Sequence, residues 1–168
     1  LKTHKEAGKV YFRVVHANSK YPFSVLGTFL SLMIRAKLNA LEYVVPDTKS
    51  LIEYLKKIKL TGGERFIKLD VKDFFMSGRH SDLSKAAGSY AKDGWSGVIE
   101  HVALTLLSHQ YVRVRDSAGR DRVYQIKCGA GQGLNWSGDV ANAGFSRTVE
   151  EPFFAHENGF LPRVYNIK

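Results

Sequence analysis

The chain of 168 residues has little cysteine, little proline and no long apolar run. Its one cysteine, Cys128, excludes a disulfide framework and any zinc site built on paired cysteines. No apolar stretch approaches the roughly 18 residues that a membrane-spanning helix needs, so we expect no membrane partner. Hydrophobic residues make up 44% and charged residues 24%, a balance that excludes disordered and low-complexity chains.

The two ends of the sequence carry no terminal signal. The chain begins at Leu1 without an initiator methionine or a secretory pattern, and it ends at Lys168 without the features of a finished terminus. We therefore expect a piece of a longer protein that is not secreted.

Positive charge is concentrated in the first third of the chain. The whole sequence holds 25 Lys and Arg against 16 Asp and Glu, a net charge of +9. Residues 1–60 contain 11 basic and 4 acidic residues, so they account for +7 of this charge. A basic segment of this kind favours a polyanionic partner such as nucleic acid or a nucleoside triphosphate. A solvated basic face without a partner is the alternative.

Hydrophobic periodicity predicts helices and strands in irregular order, which favours an α+β fold. Helices are expected over residues 23–43, 47–58, 97–108 and 136–154. Val98, Val102 and Leu106 are predicted to share the buried face of the third helix, and Ser137 or Asn135 to cap the fourth. Residues 78–95 are polar and contain glycine, so we expect mostly loop there with a short helix.

Strands are predicted over residues 10–15 and 66–71, and a hairpin pairs 111–115 with 122–127. Alternation along 66–71 places Val71 on the apolar face and Asp70 on the less buried face. An aspartate at the end of an apolar strand is stabilised by solvent or by a cation, and Mg²⁺ binds through one or two carboxylates with substrate phosphates. Alternatively, Asp70 only caps the following turn.

Three segments resemble motifs of one enzyme family. The stretch Phe66-Ile67-Lys68-Leu69-Asp70-Val71-Lys72-Asp73-Phe74-Phe75 resembles the first catalytic motif of reverse transcriptases. The basic start, Leu1-Lys2-Thr3-His4-Lys5 with Arg13-Val14-Val15, resembles the lysine-rich and R-P-I-V fingers motifs of Penelope-like element reverse transcriptases, with Val14 where that family usually has proline. Gly131-Gln132-Gly133-Leu134-Asn135-Trp136-Ser137-Gly138 with Ala141-Asn142 resembles the family's glycine and serine motif, with Gly138 at the usual proline position.

The resemblance implies a polymerase right-hand fold of the α+β class. The chain would supply fingers and an incomplete palm, in which helices back an antiparallel sheet. Residues 1–22 and 78–133 would belong to the fingers, and residues 23–77 and 134–168 to the palm. The implied activity is RNA-templated DNA synthesis with an RNA template, a DNA primer and dNTPs as partners, in the nucleus or cytoplasm of a cell that carries the element.

The resemblance also implies a role for individual residues. Asp70 would bind two Mg²⁺ ions, or Mn²⁺ in their place, with the backbone carbonyl of Val71 completing one site. Phe75 would leave no room for a 2′-hydroxyl and so select deoxynucleotides. The residues implied to contact the dNTP are Lys5, Arg13, Asp73, Phe74, Phe75 and Gln132. Gly133 and Ser137 would contact the template or primer.

Other interpretations of the same residues stay open. A domesticated or decayed copy that binds nucleic acid without catalysis would use the same basic face. An RNA-dependent RNA polymerase shares the palm chemistry, although it must admit the 2′-hydroxyl that a phenylalanine at position 75 would exclude. Phe74 and Phe75 could also be core aromatics with no part in nucleotide selection.

The carboxylate pair that reverse transcriptases carry on a later hairpin has no counterpart in the sequence, which contains no Asp-Asp. A single aspartate supplies about half of the anionic ligands that two Mg²⁺ ions need. We therefore expect that the 168-residue chain alone does not extend a DNA primer on an RNA template. Extension above background that disappears in the Asp70→Ala variant would contradict this prediction.

Overall fold

A computed structural model describes residues 15–16, 21–41, 43–45, 47–57, 59, 62–63 and 70–155, together with the backbone of 166–167. The elements in these ranges are α1 (Ser24–Asn39), β1 (Val44–Val45), α2 (Thr48–Lys57), a 3-10 turn (Phe74–Met76), α3 (His80–Ser89), α4 (Ser96–Ser108), β2 (Tyr111–Arg115), β3 (Asp121–Gln125), α5 (Ser137–Phe145), a π-helical turn (Ser146–Glu150), α6 (Glu151–Ala155) and β4 (Asn166–Ile167). This mixture confirms the predicted α+β class.

Helices α1, α3, α4 and α5 pack around one apolar core. Leu30, Ile34 and Leu38 recur at four-residue spacing along α1, as the periodicity predicted, and all three are buried. Trp136 is fully buried just before α5. Its indole ring lies so close to Gly27 of α1 that a Cβ atom there would overlap it. A small residue in α1 therefore makes room for the largest side chain of the core.

Helix α3 corrects the expectation of a mostly irregular segment at 78–95. It is a regular helix of ten residues, and its buried residues are Leu83, Ser84, Ala86, Ala87 and Gly88. Apart from Leu83 these side chains are small, so the pattern of large apolar residues that marks a helix in a sequence is weak. Small size also allows α4 to approach closely, because a Cβ atom on Gly88 would lie 3.0 Å from the Ser96 carbonyl oxygen.

Helix α4 lies where it was predicted, but with a different face inward. Ile99, Ala103 and Leu107 are fully buried together with Leu106. Val98, predicted to be in the core, is 48% exposed. The helix packs against both α3 and α1, so its buried stripe is set by two neighbours and not by its largest side chains alone.

The strands are confirmed in part. Strands β2 and β3 form the predicted hairpin with Tyr111 opposite Gln125 and Arg115 opposite Asp121, and β1 pairs with β4 in parallel. Residues 10–14 and 66–69 of the other predicted strands lie outside the described residues. Val71 is 42% exposed, which contradicts its predicted place on a buried face, whereas Asp70 is exposed as expected.

The long helix predicted at 136–154 is confirmed as continuous helical backbone through α5, the π-helical turn and α6. The predicted caps are wrong, because Trp136 occupies the capping position without a side-chain bond. The Asn135 side chain instead donates to the Ser24 carbonyl and to the Thr28 hydroxyl of α1. A tertiary contact has therefore taken the side chain that a local capping rule would use.

The π-helical turn is surrounded by hydrogen-bonded hydroxyl groups. The Ser146 hydroxyl donates to Glu150 (2.6 Å) and lies 2.9 Å from the Tyr43 hydroxyl. The Tyr90 hydroxyl donates to Glu151 (2.6 Å), and burial raises the pKa of Tyr90 above its ordinary value. Polar groups are thus satisfied where the helix changes register.

Helix α2 lies apart from the core, and none of its residues is buried. The Asp47 carboxylate accepts a hydrogen bond from the Ser50 backbone N–H (2.7 Å) and caps its first turn, which lowers the pKa of Asp47. Among the described helices, none is long and apolar enough to cross a membrane.

The two faces of α4 give a direct test of the packing. We expect Ile99→Ala to lower the free energy of unfolding by about 2–5 kcal/mol, because it leaves a cavity between α3 and α4. Val98→Ala removes a half-exposed side chain and should change the free energy of unfolding by less than about 0.5 kcal/mol. Urea denaturation of both variants measures the difference, and equal losses would contradict the observed face.

Candidate functional site

The segment after Asp70 reverses direction within a few residues. Asp70 and Val71 are exposed and belong to neither a helix nor a strand. Asp73 has a φ of 53°, a left-handed conformation that aspartate tolerates better than most residues. Its carbonyl oxygen accepts hydrogen bonds from the Met76 N–H and the Ser77 hydroxyl, both at 2.9 Å. This turn directs the two phenylalanines toward the helices.

Phe74 and Phe75 are both half-buried, in different surroundings. Their rings meet edge to face with centroids 5.4 Å apart, and Phe74 makes a second such contact with Phe145 of α5 at 5.9 Å. Phe74 also lines an apolar pocket of about 290 Å³ with Val71 and Ala141. Phe74 is thus anchored to α5, while the Phe75 backbone adjoins residues 129–133, the glycine-rich loop.

The glycine-rich loop and the aromatic turn are joined by backbone hydrogen bonds. The Gly129 N–H donates to the Gly78 carbonyl (2.8 Å), and the Ala130 N–H donates to the Phe75 carbonyl (2.7 Å). Gly129 has a φ of 73°, and a Cβ atom there would lie 2.5 Å from the Met76 Cα atom and the Phe75 carbonyl oxygen. Two predicted motifs that are 55 positions apart in the sequence therefore meet in the structure.

The opposite side of this loop contacts the segment that follows Arg13. The His16 backbone N–H donates to the Gln132 carbonyl at 2.7 Å. Gly131 packs against the His16 ring, and a Cβ atom on Gly133 would lie 2.6 Å from the His16 carbonyl oxygen. Gln132 itself is half-buried and Gly133 is exposed. The predicted nucleotide contacts Lys5 and Arg13 lie outside the described residues.

Gln110 binds the glycine-rich loop from the core side, a role that the sequence did not indicate. Its side chain is buried, and its amide nitrogen donates to the carbonyls of Leu107 (3.0 Å) and Gly129 (3.3 Å). Its amide oxygen accepts the Gly131 N–H at 2.5 Å. A glutamine between a helix and a strand has no distinctive spacing, so only the three-dimensional packing reveals this function.

His80 lies on the other flank of the loop, at the start of α3. Burial lowers the pKa of His80 from its ordinary value of 6.5, and Lys127 lowers it further, while a hydrogen bond with the Gly129 backbone opposes both. Its buried Nε2 atom has no hydrogen-bond partner among the described residues. The ring therefore serves as a neutral packing group against the loop.

Ser137 begins helix α5. It is buried, and its hydroxyl donates to the Leu134 carbonyl (2.9 Å), which closes the turn into α5. The contact with template or primer stays a prediction for Ser137 as it does for Gly133. Nearby, Asp139 accepts a hydrogen bond from Arg35 of α1 (2.7 Å), and this ion pair fastens α5 to α1.

The donor set for the implied metal ions is incomplete in the described part of the chain. No group of three or more His, Cys, Asp or Glu side chains within 15–16, 21–155 (gaps excepted) could hold a metal ion. Asp70 and the Val71 carbonyl offer at most part of the coordination that two Mg²⁺ ions require. These residues do not fit the two-metal centre on their own, so no reaction step is derived through it.

A matched pair of glycines tests the contact between loop and turn. Gly129 and Gly119 both have positive φ, but a Cβ atom on Gly119 would meet nothing within 4 Å. We expect Gly119→Ala to cost about 1–2 kcal/mol of unfolding free energy through backbone strain alone. Gly129→Ala should cost a further 1–3 kcal/mol or so, because the methyl group collides with backbone. Equal losses in urea denaturation would show that the loop does not rest on the turn.

Comparisons with known proteins identify no relative of the chain. No family model matches the chain, and no curated protein or solved structure matches it either. The case for a function therefore rests on the residues and their geometry.

Proposed function

We propose that the chain forms the fingers and part of the palm of an RNA-directed DNA polymerase of the Penelope-like retroelement type. One observation carries the proposal. The turn after Asp70, the glycine-rich loop and the segment after Arg13 are far apart in the sequence and meet at one place. The Ala130–Phe75 and His16–Gln132 backbone hydrogen bonds join them. Phe75 and Gln132 belong to stretches that resemble motifs of that family, and Ala130 and His16 directly adjoin such stretches.

The proposed site binds a deoxynucleoside triphosphate against the glycine-rich loop. The glycines let the loop pack directly against the aromatic turn and His16. Gln132 is half-buried and Gly133 is exposed, so the nucleotide would approach this end of the loop. The Phe75 carbonyl is bonded to the Ala130 N–H of this loop, and the half-buried Phe75 ring would contact the C2′ edge of the sugar. Gln132 would lie along the base pair, and Lys5 and Arg13 would neutralise the phosphates.

The proposed reaction is attack of the primer 3′-hydroxyl on the α-phosphate of the dNTP, directed by an RNA template. The bond between the α- and β-phosphates breaks, and pyrophosphate leaves. Asp70 and the Val71 carbonyl are the proposed ligands of Mg²⁺, for which Mn²⁺ could substitute. Because the described residues do not complete this centre, the proposal assigns them nucleotide binding and orientation. Asp73 and Phe74 shape the sugar pocket through the turn and through packing on α5.

A nucleic-acid-binding protein without polymerase chemistry is the second candidate function. The feature that favours it is the hairpin β2–β3, whose arginines are exposed and lie outside the proposed nucleotide site. An RNA polymerase is disfavoured by the phenylalanine at position 75, which would exclude the 2′-hydroxyl that such an enzyme must admit. The three candidates differ in how they treat the 2′-hydroxyl of a nucleotide.

The selection of the sugar by Phe75 provides the test. Binding of dATP and of ATP is measured by calorimetry with Mg²⁺, on an RNA template that presents uridine to a dideoxy-terminated DNA primer, which prevents extension. We expect the chain to prefer dATP. Phe75→Ala should reduce the ratio of the two affinities about tenfold or more, through tighter binding of ATP, because the steric barrier to the 2′-hydroxyl is removed.

Phe153→Ala is the control for this experiment. Phe153 is exposed on α6, and its substitution makes the same change in composition away from the site. The ratio of dATP to ATP affinity should stay constant in that variant. Equal affinity of the unaltered chain for both nucleotides would favour an RNA polymerase. Binding of template and primer without either nucleotide would favour the second candidate function.

A further inference from the structure

The hairpin β2–β3 and its continuation to Lys127 form an exposed surface, the arginine hairpin (residues 111–127). Nearly every side chain in both strands is exposed, on both faces of the two-stranded sheet. Two strands without a covering layer gain little from burial of apolar surface. The exposure of both faces therefore suggests that the hairpin is retained to contact a partner.

Positive charge dominates this surface. It carries five basic side chains, Arg113, Arg115, Arg120, Arg122 and Lys127, and two acidic ones, Asp116 and Asp121. On one face Asp121 pairs with Arg115 (3.0 Å) and Arg113 (3.7 Å). On the other face Asp116 pairs with Arg120 (3.1 Å) and Arg122 (3.6 Å).

Each carboxylate is thus shared by two guanidinium groups, which leaves one positive charge in excess on each face. Hydrogen bonds with Arg115 lower the pKa of Asp121, and those with the Arg120 backbone and side chain lower the pKa of Asp116, so both stay ionised. Exposed ion pairs of this kind are weak. A phosphate group can therefore compete for the arginines while the carboxylates keep them close together.

Exposed tyrosines accompany the arginines. Tyr111 and Tyr124 are 51% and 52% exposed. Because Tyr111 pairs with Gln125 and Tyr124 with Val112, the two rings lie on opposite faces of the hairpin. Tyr124 shares its face with Arg122, and Tyr111 shares its face with Arg113. Each face thus offers an aromatic ring and guanidinium groups, which is the combination that binds unpaired nucleotides.

We propose that the arginine hairpin binds single-stranded RNA, with arginines on phosphates and tyrosines stacked on bases. The end of β3 leads into the loop of the proposed nucleotide site, since the Ile126 N–H donates to the Gln110 carbonyl (2.9 Å) just before Gly129. RNA on the hairpin would therefore pass toward that loop. The choice of RNA as the strand rests on the proposed function, whereas the surface itself rests on the exposed side chains.

Fluorescence anisotropy with a labelled 20-nucleotide single-stranded RNA tests this surface. The titrations contain EDTA and no nucleotide, so that they do not depend on a metal site. We expect Arg113→Gln and Arg122→Gln each to weaken binding and to reduce the slope of log affinity against log salt by about 0.7, the value for one lost phosphate contact on a single strand. Arg147→Gln is the control, because Arg147 is an exposed arginine paired with Glu151 away from the hairpin.

The tyrosines are tested separately from the charge. Tyr124→Leu and Tyr111→Leu should each weaken binding of single-stranded RNA by about fivefold or more, because stacking is lost, while binding of duplex RNA should not change.

The Arg113→Lys variant keeps the positive charge that Arg113→Gln removes, so its slope of log affinity against log salt should equal that of the unaltered chain. Circular dichroism melting of each variant verifies that the hairpin variants are folded.

Several results would overturn the proposal. An Arg147→Gln variant that loses as much affinity as Arg113→Gln would show that only net charge matters. Tighter binding of duplex RNA, or of single-stranded DNA of the same sequence, would show that the partner is wrong. These titrations contain neither nucleotide nor metal ion, whereas the sugar-selection experiment depends on both, so failure of the polymerase proposal and failure of the hairpin proposal give different results.

Discussion

The contact between the glycine-rich loop and the aromatic turn is the constraint on which the proposed site depends. Two backbone hydrogen bonds, from Gly129 to Gly78 and from Ala130 to Phe75, fix the distance between segments that belong to different parts of the chain. Gly129 lies too close to the turn to carry a side chain. Buried Gln110 then bonds to the Gly129 carbonyl and the Gly131 N–H from the core side, and it follows α4, which packs against α3.

Most of the helical fold could be predicted because large apolar residues repeat at helical spacing along α1 and through residues 137–155. The hairpin also followed from alternation and a turn at Asp116. Helix α3 was predicted only as a short helix within a loop, since its buried face consists of alanine, serine and glycine apart from Leu83. Which face of α4 is buried could not be predicted either, because two neighbouring helices determine it together.

Some residues of the candidate site could likewise be predicted from the sequence, and others could not. Asp70, Phe75 and Gln132 could be predicted because each stands in a short stretch that resembles a family motif, and their roles stay predictions. Gln110 and His16 could not, because their contacts with the loop depend on packing between distant segments. The caps of α5 show the limit of local rules, since Asn135 bonds to α1 and leaves its own helix uncapped.

The π-helical turn at Ser146–Glu150 has a consequence for the whole length of the helix that contains it. One additional residue per turn advances every later side chain by about 100° around the axis. The stripe of side chains that faces the core in α5 therefore does not continue into α6, and the side chains of α6 contact a different neighbour. Phe154 stacks on Tyr43 with ring centroids 4.5 Å apart, so the helix fastens the segment after α1 as well as the core. One continuous helix therefore contacts both the apolar core and the segment between α1 and α2.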